Sequence, residues 1–81
     1  MMVTVRLFAR AKDLAGADAV TVELSAPATV GDLCRRLAAE HPRLETLLAH
    51  CAFAVDDEFA ESSCELMPDQ EIALLPPVSG G

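Results

Sequence analysis

The residues of this chain best suited to chemistry are its last two, Gly80 and Gly81, which carry a carboxylate and no side chains. Without a Cβ, they leave the terminal carbonyl open to attack and thin enough to enter a narrow channel. They follow Pro76-Pro77-Val78-Ser79, whose prolines end an apolar, strand-like run over residues 72–75. An anchored strand, a stiff proline exit and a diglycine end are suited to presenting a carboxylate to another protein. The alternative is a frayed terminus without a role.

The chemistry open to this carboxylate begins with its activation. A carboxylate is a poor electrophile at neutral pH, because its negative charge repels nucleophiles and oxide is a bad leaving group. Joining Gly81 to AMP would create a mixed anhydride with a good leaving group. Capture of the acyl carbon by sulfur would then give a thiocarboxylate, a soft nucleophile that can donate its sulfur. The chain would need no acid, base or metal of its own, since its partners would supply them.

No other catalytic constellation is visible in the sequence. The only histidines, His41 and His50, are interpreted as helix-end or loop residues. The adjacent acids at residues 56–58 are typical of a solvated turn, so we expect no metal there. The cysteines are odd in number and widely spaced, which predicts neither a disulfide framework nor a zinc site. They are Cys34, Cys51 and Cys64.

The bulk composition indicates one small domain in a reducing compartment. The chain has 81 residues, of which 52% are hydrophobic, and this is ample for one modest core. A formal net charge of −7 argues against nucleic acid and favours basic protein partners, or simply keeps a small protein soluble. No apolar run is long enough to cross a membrane and no signal peptide is recognisable, so we expect a cytoplasmic protein.

Hydrophobic periodicity predicts strands at both ends of the chain and a main helix between them. Residues 3–8 and 20–24 alternate apolar and polar side chains, as half-buried strands do. Further strand-like runs cover residues 51–55, 58–60 and 71–75. This order predicts an α+β fold, a mixed sheet of four to five strands with one main helix packed on one face. We expect the two terminal strands to lie side by side and parallel at its centre.

The main helix has recognisable start and stop signals. Thr29 and Asp32 form a pattern typical of a capping box, and Pro42 ends the helix at His41. The apolar residues between them recur at helical spacing and predict one buried stripe. That stripe is Val30, Leu33, Cys34, Leu37 and Ala38. Shorter helical segments are predicted over residues 10–14, closed at Gly16, and around residues 44–48.

With these motifs the sequence resembles the small, sulfur-carrying subunits of molybdopterin synthase, the MoaD family. The resemblance is almost end to end, and its most specific part is the terminal Pro-Pro-Val-Ser-Gly-Gly. It also includes residues 7–16, 29–33, 54–56 and 71–75. The chain departs from the family at Asp56, where Asn is usual, and at Asp69, where Gly is usual. Both lie in predicted turns, where Asp tolerates the left-handed conformation.

The resemblance implies a ubiquitin-like β-grasp domain over residues 1–75 and a flexible diglycine tail over residues 76–81. It implies that Gly81, preceded by Gly80, is adenylated by a ubiquitin-activating-like adenylyltransferase that consumes ATP. A donor protein would supply the sulfur of the thiocarboxylate. A large subunit, in a heterotetramer with this chain, would use it to convert cyclic pyranopterin monophosphate into molybdopterin. The chain would then be no enzyme on its own and would bind no cofactor.

Two alternatives stay open. Related carriers for thiamine or cysteine synthesis or tRNA thiolation, and ubiquitin-like modifiers, share the fold and the diglycine but serve another acceptor. They usually lack the Pro-Pro-Val-Ser lead-in and the Leu-Phe-Ala-Arg opening. The second alternative is a plain β-grasp binding module with an inert tail.

Strand alternation also predicts a partner surface. If Val5 and Leu74 face the helix, Phe8 and Leu75 point to the opposite face of the sheet, and Phe59 joins them. An exposed apolar patch of this kind is typical of an interface, and the resemblance implies that it meets the large subunit. The tail residues before the diglycine would thread into the partner's active site. They are Pro76, Pro77, Val78 and Ser79.

Overall fold

The computed structural model describes residues 1–75, and the tail predicted for residues 76–81 lies outside the described residues. Within that range the strands are β1 (Met2–Leu7), β2 (Ala19–Glu23), β3 (Ala28–Thr29), β4 (Ala52–Val55), β5 (Glu58–Ala60), β6 (Glu65–Leu66) and β7 (Ile72–Leu75). The helices are α1 (Ala9–Ala15), α2 (Val30–Glu40) and α3 (Glu45–Leu48), with a 3-10 helix at Pro42–Leu44 before α3.

The two terminal strands form the middle of the main sheet. Its strand order is β2-β1-β7-β4-β5, and β1 pairs with β7 in parallel, with Val5 beside Ile72 and Leu7 beside Leu74. The other neighbours in this sheet are antiparallel. This arrangement confirms the predicted mixed sheet and its parallel central pair. The connection from β1 to β7 spans most of the chain, as a parallel pair requires.

One face of the sheet packs against α2 and forms the hydrophobic core. Leu33 and Leu37 of α2 are completely buried, and they belong to one cluster with Val5 and Leu74 of the central strands. Their spacing of four residues puts them on the same side of the helix. Burying a leucine side chain stabilises the fold by about 1.5–3 kcal/mol. The predicted stripe is therefore the helix's core face, with Cys34 half-buried beside it.

The start of α2 is fixed by a reciprocal pair of hydrogen bonds. The backbone N–H of Asp32 donates to Thr29 Oγ1 over 3.2 Å, and the backbone N–H of Thr29 donates to Asp32 Oδ2 over 2.9 Å. These bonds satisfy N–H groups that a helix terminus otherwise leaves unpaired. The capping box predicted from the sequence is confirmed, and the helix ends at Glu40, with His41 as its C-cap.

A second, two-stranded sheet of β3 and β6 was missed by the sequence analysis. It brings residues 62–64 against the first turn of α2, where the N–H groups of Val30 and Gly31 donate to the carbonyls of Cys64 and Ser62, both over 2.9 Å. The approach is close enough that a Cβ on Gly31 would lie 3.3 Å from the Ser62 oxygen. Each strand has only two residues, too few to show an alternating pattern.

Candidate partner interface

The last described strand, β7, leads towards the predicted tail at a defined edge of the sheet. Leu75 ends β7 and pairs with Ala52, the first residue of β4. On its other side Leu74 pairs with Leu7, the last residue of β1. Because β1 and β7 are parallel, both strands end at this edge. The chain therefore leaves β7 between the end of β1 and the beginning of β4.

Around β4, β5 and β7, the sheet face opposite α2 carries small and apolar side chains. Phe59 of β5 pairs with Ala54 of β4, which pairs in turn with Ala73 of β7, so the three lie in one row across the sheet. The next residue of the row is Arg6 of β1. The Phe59 side chain is 80% exposed because its neighbours in the row are too small to cover it. This outer sheet face includes Leu75, two residues beyond Ala73 on the same side of β7.

Phe8 lies one residue beyond β1, which ends at Leu7 rather than at Phe8 as the sequence analysis expected. The strand ends there because Phe8 becomes the N-cap of α1, and its carbonyl accepts a hydrogen bond from the N–H of Ala11 over 3.1 Å. Its backbone is still extended, with φ −134° and ψ 156°. Phe8 is 42% exposed and follows the residue that pairs with Leu74.

The structure places Phe59 and Leu75, two of the residues predicted for partner binding, on the outer sheet face, and a third, Phe8, just beyond its edge at the end of β1. Their role in binding stays a prediction. The remaining predicted site residues lie outside the described part of the chain. They are Pro76, Pro77, Val78, Ser79, Gly80 and Gly81.

The turn that carries Phe59 towards this face is tied to β7. Asp56 and Asp57 join β4 to β5 with positive φ angles of 50° and 68°, as the tightest hairpin turns require. The N–H of Asp56 donates to the Glu71 carbonyl over 2.8 Å, and the N–H of Glu71 donates to Asp56 Oδ1 over 3.0 Å. The predicted turn is confirmed, and its side-chain bond to Glu71 was missed. Asp69 also has a positive φ, of 67°.

Comparison with known proteins assigns this architecture to a family. The sequence profile of the ThiS family matches residues 5–81. The chain belongs to the ThiS family. It is also 34% identical over 83 residues to the molybdopterin synthase sulfur carrier subunit of Chlamydomonas reinhardtii, and the match covers 100% of both chains. The predicted resemblance to molybdopterin synthase sulfur carriers is confirmed.

Two solved structures extend the family assignment to the fold. The crystal structure of SAMP1 from Haloferax volcanii superposes with a TM-score of 0.87 and 34% identity, covering 100% of both chains. A chain from the Helicobacter pylori complex of subunits 1 and 2 of molybdopterin-converting factor superposes with a TM-score of 0.72 and 30% identity, again over 100% of both chains. These likenesses confirm the β-grasp fold predicted from the sequence.

Two thiols of this ThiS-family chain, those of Cys34 and Cys51, are made less acidic by their surroundings. Burial raises the pKa of the Cys34 thiol, and it does the same for Cys51, where the nearby Cys34 adds to the effect. A raised pKa leaves less thiolate at neutral pH, and the thiolate is the nucleophile. Cys34 and Cys51 are therefore poor candidates for a nucleophilic thiol.

The histidines lie at helix ends, and residues 1–75 contain no cluster suited to a metal ion. His41 caps α2 and His50 follows α3, which confirms their predicted helix-end positions. In this described part of the chain, no three acids, histidines or cysteines are grouped so that they could hold a metal ion. Within the same range, no helix is both long and apolar enough to span a membrane.

Proposed function

We propose that this chain is the sulfur-carrier subunit of a molybdopterin synthase and that Gly81 is its reactive residue. The observation that supports the proposal most strongly is the diglycine end, Gly80-Gly81, five and six residues beyond the end of β7 on a β-grasp domain. The ThiS-family match extends to residue 81, so it includes this diglycine.

The proposed chemistry begins with the Gly81 carboxylate attacking the α-phosphorus of ATP, with pyrophosphate as the leaving group. An adenylyltransferase resembling ubiquitin-activating enzymes would catalyse this step, and ATP is its substrate rather than a cofactor of this chain. The terminal sulfur of a persulfide on a donor protein then attacks the acyl carbon, and AMP leaves. A second thiol reduces the acyl disulfide so formed, which releases the thiocarboxylate and leaves a disulfide on the donor side. The thiocarboxylate sulfur bonds to cyclic pyranopterin monophosphate, and water cleaves the acyl–sulfur bond and returns Gly81 to the carboxylate.

In this proposal the chain acts only within a complex. The Helicobacter pylori structure is a complex of subunits 1 and 2 of a molybdopterin-converting factor, which supports a second subunit as the partner. The assembly we propose is a heterotetramer with a large subunit. The outer sheet face offers a docking surface beside the end of β7. Docking there fixes the origin of the tail, so that Pro76 to Gly81 can reach the partner's active site. The chain contributes a reactive end group and no catalytic side chain.

A second candidate function is protein modification, which the likeness to the small archaeal modifier protein 1 of Haloferax volcanii favours. That protein is 36% identical over 84 residues. Modification would use the same acyl adenylate, but a lysine amine would displace AMP in place of sulfur. The product is an amide between Gly81 and another protein.

The proposal is tested by reconstituting the sulfur transfer. The chain is first converted to its thiocarboxylate, then mixed with the purified large subunit and cyclic pyranopterin monophosphate. We expect molybdopterin to form in proportion to the thiocarboxylate added, and none to form from a chain lacking Gly81. If the wild-type chain supports no molybdopterin formation but becomes attached to lysines of other proteins, the modifier function replaces the one proposed.

A further inference from the structure

A shallow groove lies between α1 and the segment that precedes β4, outside the outer sheet face. It has a volume of about 440 Å³ and is lined by Arg10, Leu14, Arg43, Thr46, Leu47 and His50. Arg10, Arg43 and His50 are exposed, whereas Leu14 and Leu47 are half-buried and form its apolar floor. No acidic residue lines this groove, although acids outnumber bases in the chain by 13 to 6.

The two arginines of this basic groove are not neutralised within residues 1–75. Three of the six Lys and Arg side chains form ion pairs with acids on their own helix or close to it. These pairs are Lys12 with Asp18, Arg35 with Asp32, and Arg36 with Glu40. Arg10 and Arg43 form none in the described part of the chain. The groove is therefore a local concentration of uncompensated positive charge on a chain of net charge −7.

The basic groove lies at the edge of the sheet where β7 ends. Arg10 follows the end of β1 by three residues, and His50 precedes the start of β4 by two. Those two strands flank β7, with Leu7 beside Leu74 and Ala52 beside Leu75. A partner that receives the chain beyond β7 therefore approaches close to the groove.

We propose that the basic groove binds an acidic segment of a protein that acts on Gly81, with an apolar side chain of that segment on Leu14 and Leu47. This inference rests on the proposed function, because it takes the partner to be a protein that receives the tail. Elsewhere the surface of the chain repels acidic segments through its net negative charge. The two free arginines thus fix the direction from which an acidic partner can approach.

The lining favours a protein segment over a free phosphate. Compact phosphate sites use converging backbone N–H groups or a helix N-terminus, whereas here the cations stand apart on exposed side chains around an apolar floor. Such a surface matches an extended chain that alternates acidic and apolar residues. The basic groove would add a charged contact to the apolar contacts of the outer sheet face, where Arg6 lies beside Ala73.

The test compares two double variants that remove the same charge. The Arg10→Ala and Arg43→Ala variant removes both arginines from the basic groove. The Arg35→Ala and Arg36→Ala variant removes two arginines that line a different groove, next to Glu23. Each variant and the wild-type chain are titrated by calorimetry with the purified adenylyltransferase and with the purified large subunit, at low and high salt. Intact-mass measurement of Gly81 activation is performed in parallel.

We expect the Arg10 and Arg43 double variant to bind at least one of the two proteins about tenfold more weakly than the Arg35 and Arg36 variant at low salt, with a smaller salt dependence. Equal affinities and salt dependences for the two variants, with wild-type activation intact, would overturn the inference and leave the proposed function standing. Saturable binding of inorganic phosphate at Arg10 and Arg43, seen by amide NMR shifts, would also overturn it. If the wild-type chain neither binds either protein nor is activated at Gly81, both the proposed function and the basic-groove inference are overturned.

Discussion

Asp56 and Glu71 hold the β4–β5 hairpin to the start of β7 through two hydrogen bonds, one in each direction. The backbone of Asp56 donates to the Glu71 carbonyl over 2.8 Å, and Asp56 Oδ1 accepts from the Glu71 N–H over 3.0 Å. Asp56 therefore satisfies both backbone groups of a residue that immediately precedes the strand leading to the tail. The same turn places Phe59 on the outer sheet face. Asp56 therefore links the position of Phe59 to the position of the strand that leads to the tail.

The hydrogen bond from Glu71 to the Asp56 side chain predicts different losses of stability for two substitutions at Asp56. Asp56→Asn keeps an oxygen acceptor and tolerates the positive φ of 50°, so we expect a change in unfolding free energy of less than about 0.5 kcal/mol. Asp56→Ala leaves the Glu71 N–H without its partner and should cost about 1–2 kcal/mol. Urea unfolding of both variants measures the difference. Equal losses would show that the side-chain bond contributes nothing.

Shortening a buried side chain of the main helix should destabilise the fold strongly. Leu37 is completely buried, so we expect Leu37→Ala to cost about 2–5 kcal/mol, as buried leucine truncations do. Glu23→Ala, on the exposed side of β2, is the control and should change stability by less than about 0.5 kcal/mol. The comparison is made by thermal and urea unfolding. A melting change no larger than that of the control would contradict the packing of α2 on the sheet.

The core of this fold could be predicted because its signals are local and repeated. Alternation located β1 and β2, an apolar run ended by prolines located β7, and a capping box with a downstream proline bounded α2. What was missed depends on contacts between distant segments. The β3–β6 pair rests on two residues in each strand, and the bond between Asp56 and Glu71 joins residues fifteen positions apart. The end of β1 was predicted one residue too late, because Phe8 is the N-cap of α1 but its side chain makes no capping hydrogen bond.

The helix cap should make part of the stability depend on pH. Hydrogen bonds from Thr29, with a smaller contribution from Arg35, hold the pKa of Asp32 below its ordinary value. A depressed pKa means that the folded state favours the carboxylate, so this stabilisation is present above the ordinary pKa and is lost as the pH falls through the folded value. We expect the stability advantage of the wild-type chain over Asp32→Asn to shrink between about pH 5 and pH 3.

That prediction is checked by urea unfolding of both proteins across this range. Thr29→Val serves as a second variant, because it removes the hydroxyl while it keeps the carboxylate. It should reduce the pH-dependent difference only in part, since the backbone N–H of Thr29 still donates to Asp32. A wild-type advantage that stays constant down to the lowest pH would contradict the cap's contribution.

The outer sheet face should contribute to binding and little to folding. Phe59 is 80% exposed, so Phe59→Ala should leave the melting temperature nearly unchanged. We expect its affinity for the large subunit to fall about tenfold, which corresponds to about 1.4 kcal/mol. Met67→Ala is the matched control, because Met67 is 58% exposed and lies outside the main sheet. Equal affinity of the two variants in calorimetry would exclude Phe59 from the interface.

The candidate site could be predicted only in outline. Phe8, Phe59 and Leu75 were assigned to one face by alternation. Strand pairing places Phe59 and Leu75 on that face, whereas Phe8 lies one residue beyond the end of β1. Their role in binding stays a prediction. The basic groove was not predicted, because Arg10, Arg43 and His50 share no sequence spacing. They come together only when α1 packs beside the segment before β4.

The most direct test of the sulfur-carrier function is the intact mass of the chain after incubation with ATP, the adenylyltransferase and a sulfur source. We predict a gain equal to the exchange of one oxygen for one sulfur, localised by fragmentation to the carboxyl group of Gly81. Deleting Gly81 should abolish this gain, and Gly80→Ala should slow it, because an added methyl group crowds the narrow channel. Sulfur found instead as a persulfide on Cys34, Cys51 or Cys64 would contradict the thiocarboxylate mechanism.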